Sequence, residues 1–195
     1  MFDKNLFIEN SLKESSEIKL KILETCVIQI TKSIDKLVNT IKTGNKILLI
    51  GNGGSAADCQ HLATEFMIRL SHDLNRPAIP ALALTTDSSN LTAGGNDIGF
   101  ENVMVRNVEG LGNKGDILIA ISTSGNSPNI LKAVEVAKLK QISTIGLLGG
   151  TGGKLKDLVD ISIIVPTKNV QRIQEGHITI GHIFCESVER ELYGN

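Results

Sequence analysis

The sequence predicts an α/β fold of three layers, a five-stranded parallel sheet with helices on both faces, preceded by a helical arm; flavodoxin-like strand order is the expected arrangement. Three observations carry this. Five short apolar runs, KILLIG (46–51), PALALT (80–85), DILIAIS (116–122), STIGLLG (143–149) and ISIIVP (161–166), do not alternate polar with apolar residues. Each therefore reads as a strand buried on both faces. Helical segments separate them, near 55–70, 100–110, 127–140 and 153–159, and a last helix runs from about 170 to 192. Finally, the first and third runs end in glycine- and hydroxyl-rich turns that each open a helix.

The arm comes first. Residues 1–43 place apolar side chains at helical spacing, as in ITKSIDKLVNTIKTG, and Gly44 supplies a stop signal. One or two long helices are expected there. No repeat, low-complexity tract or linker follows, so residues 1–195 read as a single domain.

The first strand then runs into GNGGS and the third into STSGNS. Unpaired backbone N–H groups and the positive end of a helix meet an anion at such turns. Gly53 and Gly54 let backbone approach a ligand, and Ser55 is a candidate N-cap. Ser122, Thr123, Ser124 and Ser127 offer four hydroxyls, and Pro128 fits the first position of a helix capped by Ser127. Strand-to-helix turns favour Gly and Ser in any case. In flavodoxin-like order, however, the first and third strands are neighbours at the switch point where ligands bind.

The anion is narrowed by what the turns lack. GNGGSA fits G-x-G-x-x-A through Gly51, Gly53 and Ala56, which by itself is a weak match to the dinucleotide fingerprint. Neither turn carries the lysine of a nucleotide-binding P-loop. A neutral, hydroxyl-rich cradle suits a small phosphate monoester better than a triphosphate.

Bulk properties exclude other classes. Net charge is −1, with 21% charged residues and no basic run, which argues against nucleic acid as a partner. The start, MFDKNLFIENSLKESSE, lacks a signal-peptide pattern, and no apolar stretch is long enough to span a membrane. Cys26, Cys59 and Cys185 are odd in number and widely spaced, which suits core-filling thiols and a reducing cytoplasm.

Four segments, GNGGSAADCQHLATEF, GNDIGFEN, ISTSGNSPNILKAV and RIQEGHITIGH, stand in an order and spacing that resembles the sugar-isomerase (SIS) domain family over nearly the whole chain. The serine turn alone is shared across SIS domains; H-x-x-x-E and R-I-Q-E with the later His are more specific. The resemblance implies a five-stranded parallel sheet and a homotetramer with sites between subunits, the arm serving oligomerisation. It also implies conversion of sedoheptulose 7-phosphate to glycero-manno-heptose 7-phosphate, the first step toward nucleotide-activated heptoses of lipopolysaccharide, capsule or related surface glycans.

Position by position, the resemblance implies that Ser122, Thr123, Ser124 and Ser127 hold phosphate. Asn52, Gly53, Gly54, Ser55 and Gln174 would line the sugar, with Asn96 and Asp97 closing over it. Glu65, also in contact with substrate, and His182 would be catalytic; a zinc ion, one per subunit, would be held by His61, Glu65, Gln174 and His182. One departure is visible: Gln171 stands where some relatives have an aspartate.

The chemistry also stands on the residues. Aldose–ketose exchange moves a proton between adjacent carbons through an enediol, and a carboxylate with an imidazole can do this. His61 and Glu65, four apart on one helix, point in nearly the same direction. Gln174 and His182 are offset by roughly 80° on the last helix and share a broad face. The same side chains are nitrogen and oxygen donors suited to zinc, which could polarise substrate oxygens; a zinc-bound Glu65 would be a weaker base.

Other residues read more plainly. His72 is expected in a solvated loop, and His177, about 140° round from His182, at a subunit contact or on the surface. Asp58 and Gln60 are expected on the helix surface or at an interface, and Arg69 beside substrate or a nearby acid. ESVEREL reads as a solvated face with Val188 and Leu192 turned inward. Rival functions are a non-catalytic SIS protein that binds a protein such as a replication initiator, a hexose-phosphate regulatory or synthase domain, and a nicotinamide dehydrogenase. The presence of Glu65 and His182 separates the isomerase from the first of these.

Overall fold

A computed structural model describes residues 2–194. Helix α1 is one continuous element, Lys4–Lys42. Asp3 caps it by accepting from the N–H groups of Asn5 and Leu6 at 3.0 and 3.1 Å, and Gly44 follows its end. Its buried stripe, Ile18, Ile22, Cys26, Ile30, Leu37, begins only after the first third of the helix. Then come β1 (Ile47–Gly51), α2 (Gly54–Met67), β2 (Ala81–Ala83), α3 (Ser88–Asp97), α4 (Phe100–Leu111) and β3 (Ile117–Ser122). The chain continues through α5 (Pro128–Leu139), β4 (Ser143–Gly149), α6 (Leu155–Leu158), β5 (Ile161–Val165) and α7 (Val170–Tyr193).

All strand pairings are parallel and the order is β2-β1-β3-β4-β5, as the sequence predicts. Alternate residues of β1, β3 and β4 enter opposite cores, whereas at the edge strand β2 Leu82 is exposed, so that run is buried on one face only. Ile47, Leu49, Ile117, Ile119 and Leu147 pack with α1, α2 and α7, whereas Leu48, Ile50, Leu118, Ala120 and Leu148 pack with α4 and α5. That two-sided burial is why the strands lack polar alternation. Truncating one such residue, Leu49→Ala for example, removes about 2–5 kcal/mol. No helix is long and apolar enough to cross a membrane among the described residues.

Two local expectations are corrected. Helix α3 is an additional element between the second strand and the segment near 100–110. Asp87 caps it by accepting from Asn90 N–H at 2.9 Å, and Asn90 Nδ2 donates to Asn107 Oδ1 at 2.8 Å. None of its residues is buried, so no apolar period announces it. The N-cap of α2 is Gly53, at φ 54°, and Ser55 lies buried inside the first turn.

The candidate active site

Gly51 pairs with Ile121 in the sheet, so the turns after β1 and β3 emerge side by side at the switch point. Two carboxamides join them. Asn52 Nδ2 donates to Asn129 Oδ1 at 2.9 Å, and Asn129 Nδ2 donates back to Asn52 Oδ1 at 2.8 Å. Asn129 is buried, so this pair is a strut between the turns and consumes much of the Asn52 side chain.

In the serine turn, Ser122 Oγ accepts from Gly125 N–H at 3.1 Å and lies 3.4 Å from Ser127 Oγ. Ser124 Oγ accepts from Asn126 N–H at 3.2 Å. Ser127 occupies the N-cap position of α5 with Pro128 next, but its hydroxyl caps no backbone N–H. That hydroxyl turns instead toward Ser122. Ser124 is exposed and Thr123 half-buried.

Helix α2 carries His61 and Glu65 from the first turn toward α7. His61 Nε2 lies 2.8 Å from His182 Nε2 and 3.6 Å from Glu65 Oε1. The imidazoles meet edge to face, with centroids 5.1 Å apart. One Nε2 carries the proton and the other accepts it. Gln174, two turns before His182, lies over the first turn of α2: a β-carbon on Gly54 would stand 2.7 Å from its Nε2. The structure thus brings His61, Glu65 and His182 into one cluster, and Gln174 against the glycine turn. Asn96 Nδ2 donates to Asp97 Oδ1 at 2.7 Å in the last turn of α3, where both are exposed.

Two imidazoles and a carboxylate are donors of the right type for zinc. Among the described residues, however, no three His, Cys, Asp or Glu side chains are arranged as a metal site. Nitrogens bound tetrahedrally at about 2.0–2.1 Å lie roughly 3.3 Å apart, so the 2.8 Å pair is a hydrogen bond as it stands. The donors fit zinc in kind, and their spacing is that of a hydrogen-bonded pair.

The surroundings hold features that spacing did not reveal. Burial raises the Asp58 carboxyl above its usual range, while His61 and His182 pull it down; Asp58 is half-buried and electrostatically tied to the cluster. His177 is fully buried, neither on the surface nor exposed for a contact; its Nε2 donates to the Leu148 carbonyl at 2.9 Å. Burial pushes its pKa down to about 4. Glu189 is also buried, contrary to a solvated ESVEREL face: it accepts from Arg76 Nε at 2.7 Å and pairs with Arg76 Nη2. The same Nη2 donates to the Glu65 carbonyl at 2.8 Å. Arg76 is therefore the arginine that braces the Glu65 backbone, whereas Arg69 is exposed. Gln60 is exposed and donates to the Thr85 carbonyl at 3.3 Å. All three cysteines are free and buried, and burial drives the Cys59 and Cys185 thiols well above the ordinary thiol range.

Residues 12–149 match the family model of the SIS domain. The phosphoheptose isomerase of Burkholderia pseudomallei (strain 1710b) is 47% identical over 190 residues, covering 96% of this chain and 95% of that protein. Phosphoheptose isomerase 2 of Campylobacter jejuni is 50% identical over 192 residues, covering 97% and 94%. Among solved structures, a phosphoheptose isomerase from Francisella tularensis superposes with a TM-score of 0.92 at 34% identity, covering 97% of this chain and all of that one. Phosphoheptose isomerase GmhA from Neisseria gonorrhoeae gives 0.89 at 36% identity, with 95% and 98% covered.

Proposed function

The chain belongs to the SIS-domain family, and from that premise we propose that it interconverts sedoheptulose 7-phosphate and D-glycero-D-manno-heptose 7-phosphate. It is an isomerase acting on a sugar phosphate, like the relatives it matches over nearly their full length. One observation carries the site assignment: His61, Glu65 and His182 meet between α2 and α7, the same two helices that Gln174 joins at Gly54.

The Ser122, Thr123, Ser124 and Ser127 hydroxyls and the N-terminus of α5 hold the 7-phosphate, which fixes the far end of the sugar. The reacting end then lies beside Glu65. Its carboxylate removes a proton from C1 of the ketose as C1 and C2 become an enediol, and returns a proton to C2. His182 moves the accompanying proton between the C1 and C2 oxygens, oriented through its bond to His61. Arg76 holds the Glu65 main chain, and the Asn52–Asn129 strut keeps the two turns in register. Asn96 and Asp97, exposed in the last turn of α3, close over the chain of hydroxyls.

His61, Glu65, Gln174 and His182 would hold a zinc ion. Bound there, zinc would polarise the substrate oxygens as a Lewis acid. The assembly we infer is a homotetramer, supported by the apolar surface that α1 leaves uncovered. Leu12, Leu20, Leu23 and Ile28 are each more than half exposed there, and Leu23 and Val27 line an apolar groove of about 310 Å³ with Ile183 of α7. Three buried free thiols support work in the cytoplasm, and the product would feed nucleotide-activated heptoses for surface glycans.

Incubation with sedoheptulose 7-phosphate in D₂O, followed by NMR, tests the reading. The aldose phosphate should appear with deuterium at C2; no aldose from this or shorter ketose phosphates would contradict it. The protein-binding alternative is disfavoured because Glu65 and His182 are both present and both stand beside His61, at 3.6 and 2.8 Å.

A further inference from the structure

Beside the serine turn lies a cleft of about 290 Å³, lined among others by Thr123 and Ser124, by Gly149 at the end of β4 with Gly150 and Thr151 after it, and by Lys168 before α7. The two turns are pressed together: a β-carbon on Gly125 would stand 1.9 Å from the Gly152 carbonyl oxygen. Lys168 is the one charged side chain in this lining. Its backbone is pinned on both sides. The Thr167 carbonyl accepts from Gly150 N–H at 3.0 Å, and Asn169 caps α7 by accepting from Gln171 N–H at 3.2 Å while its Nδ2 donates to Glu14. The side chain itself is exposed and makes no hydrogen bond or ion pair among the described residues. A fixed stem with an uncommitted ammonium borders a cleft whose other lining is hydroxyls, backbone and the apolar Val170 and Ile173, with no acid among them.

We propose that Lys168 supplies the positive charge for the substrate phosphate that the serine turn, neutral in itself, does not. This rests on the isomerase reading of the same site and adds a residue to it. A phosphate monoester at Thr123 and Ser124 would draw the Lys168 ammonium across the cleft mouth. A charge-assisted contact would then form where the free protein has only solvent. Because the head is exposed in the free state, little desolvation opposes the contact, and its strength should fall with ionic strength.

The test compares the wild type with Lys168→Met, Lys168→Arg and Lys114→Met. Lys114 is an exposed lysine in the turn before β3, at the opposite end of the sheet, and its change removes the same net charge. Steady-state kinetics with sedoheptulose 7-phosphate and the Ki of inorganic phosphate are measured at low and high salt. Lys168→Met should raise KM and the phosphate Ki about three- to tenfold at low salt, with kcat within about twofold, and should flatten the salt dependence of kcat/KM. Lys168→Arg should recover most of the affinity, and Lys114→Met should match the wild type. A Lys168→Met enzyme with wild-type KM, Ki and salt dependence, or the same loss in Lys114→Met, would overturn the assignment and leave the isomerase reading standing. If the wild type isomerises nothing, phosphate affinity measured by titration calorimetry decides. Weaker binding in Lys168→Met would then keep the anion site while the isomerase reading falls; equal binding would remove both.

Discussion

Asn52 and Asn129 exchange two hydrogen bonds, at 2.9 and 2.8 Å, between turns that lie 77 residues apart in the chain. Only a second carboxamide can return both bonds. Asn129→Ala should leave the Asn52 amide unpaired beside a buried gap and cost about 1–3 kcal/mol of stability. Because the strut sets the spacing of both turns, KM for the sugar phosphate should rise as well. Urea unfolding with parallel kinetics checks this. The double variant with Asn52→Ala should be less than additive, since the pair acts as a unit.

Gln174 and Gly54 give a sharper probe of the site. A methyl group at position 54 would meet the flexible end of Gln174 at 2.7 Å, and Gly54 is the first residue of a helix, where alanine is well tolerated. Gly54→Ala should therefore fold with nearly unchanged stability while displacing Gln174. We expect kcat/KM to fall about ten- to a hundredfold, and Gln174→Ala to show a loss of the same size. Wild-type kinetics in Gly54→Ala would mean that the Gln174 position is immaterial to the reaction.

The parts legible in the sequence are those whose signal is local. Strands β1 and β3 were readable because residues on both of their faces enter a core, and His61 with Glu65 because one helix turn joins them. Helix α3 was not: SSNLTAGGND has only Leu91 as a partly buried apolar side chain and carries two glycines, so it is held by its Asp87 cap and by packing on α4 rather than by apolar periodicity. Glu189 looked solvated because its partner, Arg76, lies 113 residues away. His177 reads as peripheral from its helical angle to His182, whereas β4 approaches α7 from the side that His177 faces. Nothing local marks Lys168, which becomes notable only when the turn after β4 is folded beside it.

His177 also predicts a pH dependence of stability. Its imidazole is buried and neutral, with a pKa pushed down to about 4 by burial, against about 6.5 in an unfolded chain. Between those values the unfolded state binds the extra proton, so stability is fully present above about pH 6.5 and is lost as the pH falls toward 4. His177→Gln, which keeps a donor for the Leu148 carbonyl, should flatten this part of the profile. Urea midpoints across pH 4–7 for the two proteins measure it; parallel profiles would assign the slope to other groups.

Glu65→Gln tests the central claim most directly, because it preserves the size and hydrogen-bonding reach of the side chain while removing the base. The measurement is the rate of sedoheptulose 7-phosphate isomerisation by the purified variant, alongside its melting temperature and oligomeric state. General-base catalysis predicts a loss of at least about 10²–10⁴ in kcat, with folding and assembly unchanged. A well-folded Glu65→Gln protein that turns over within a few-fold of the wild type would contradict the account.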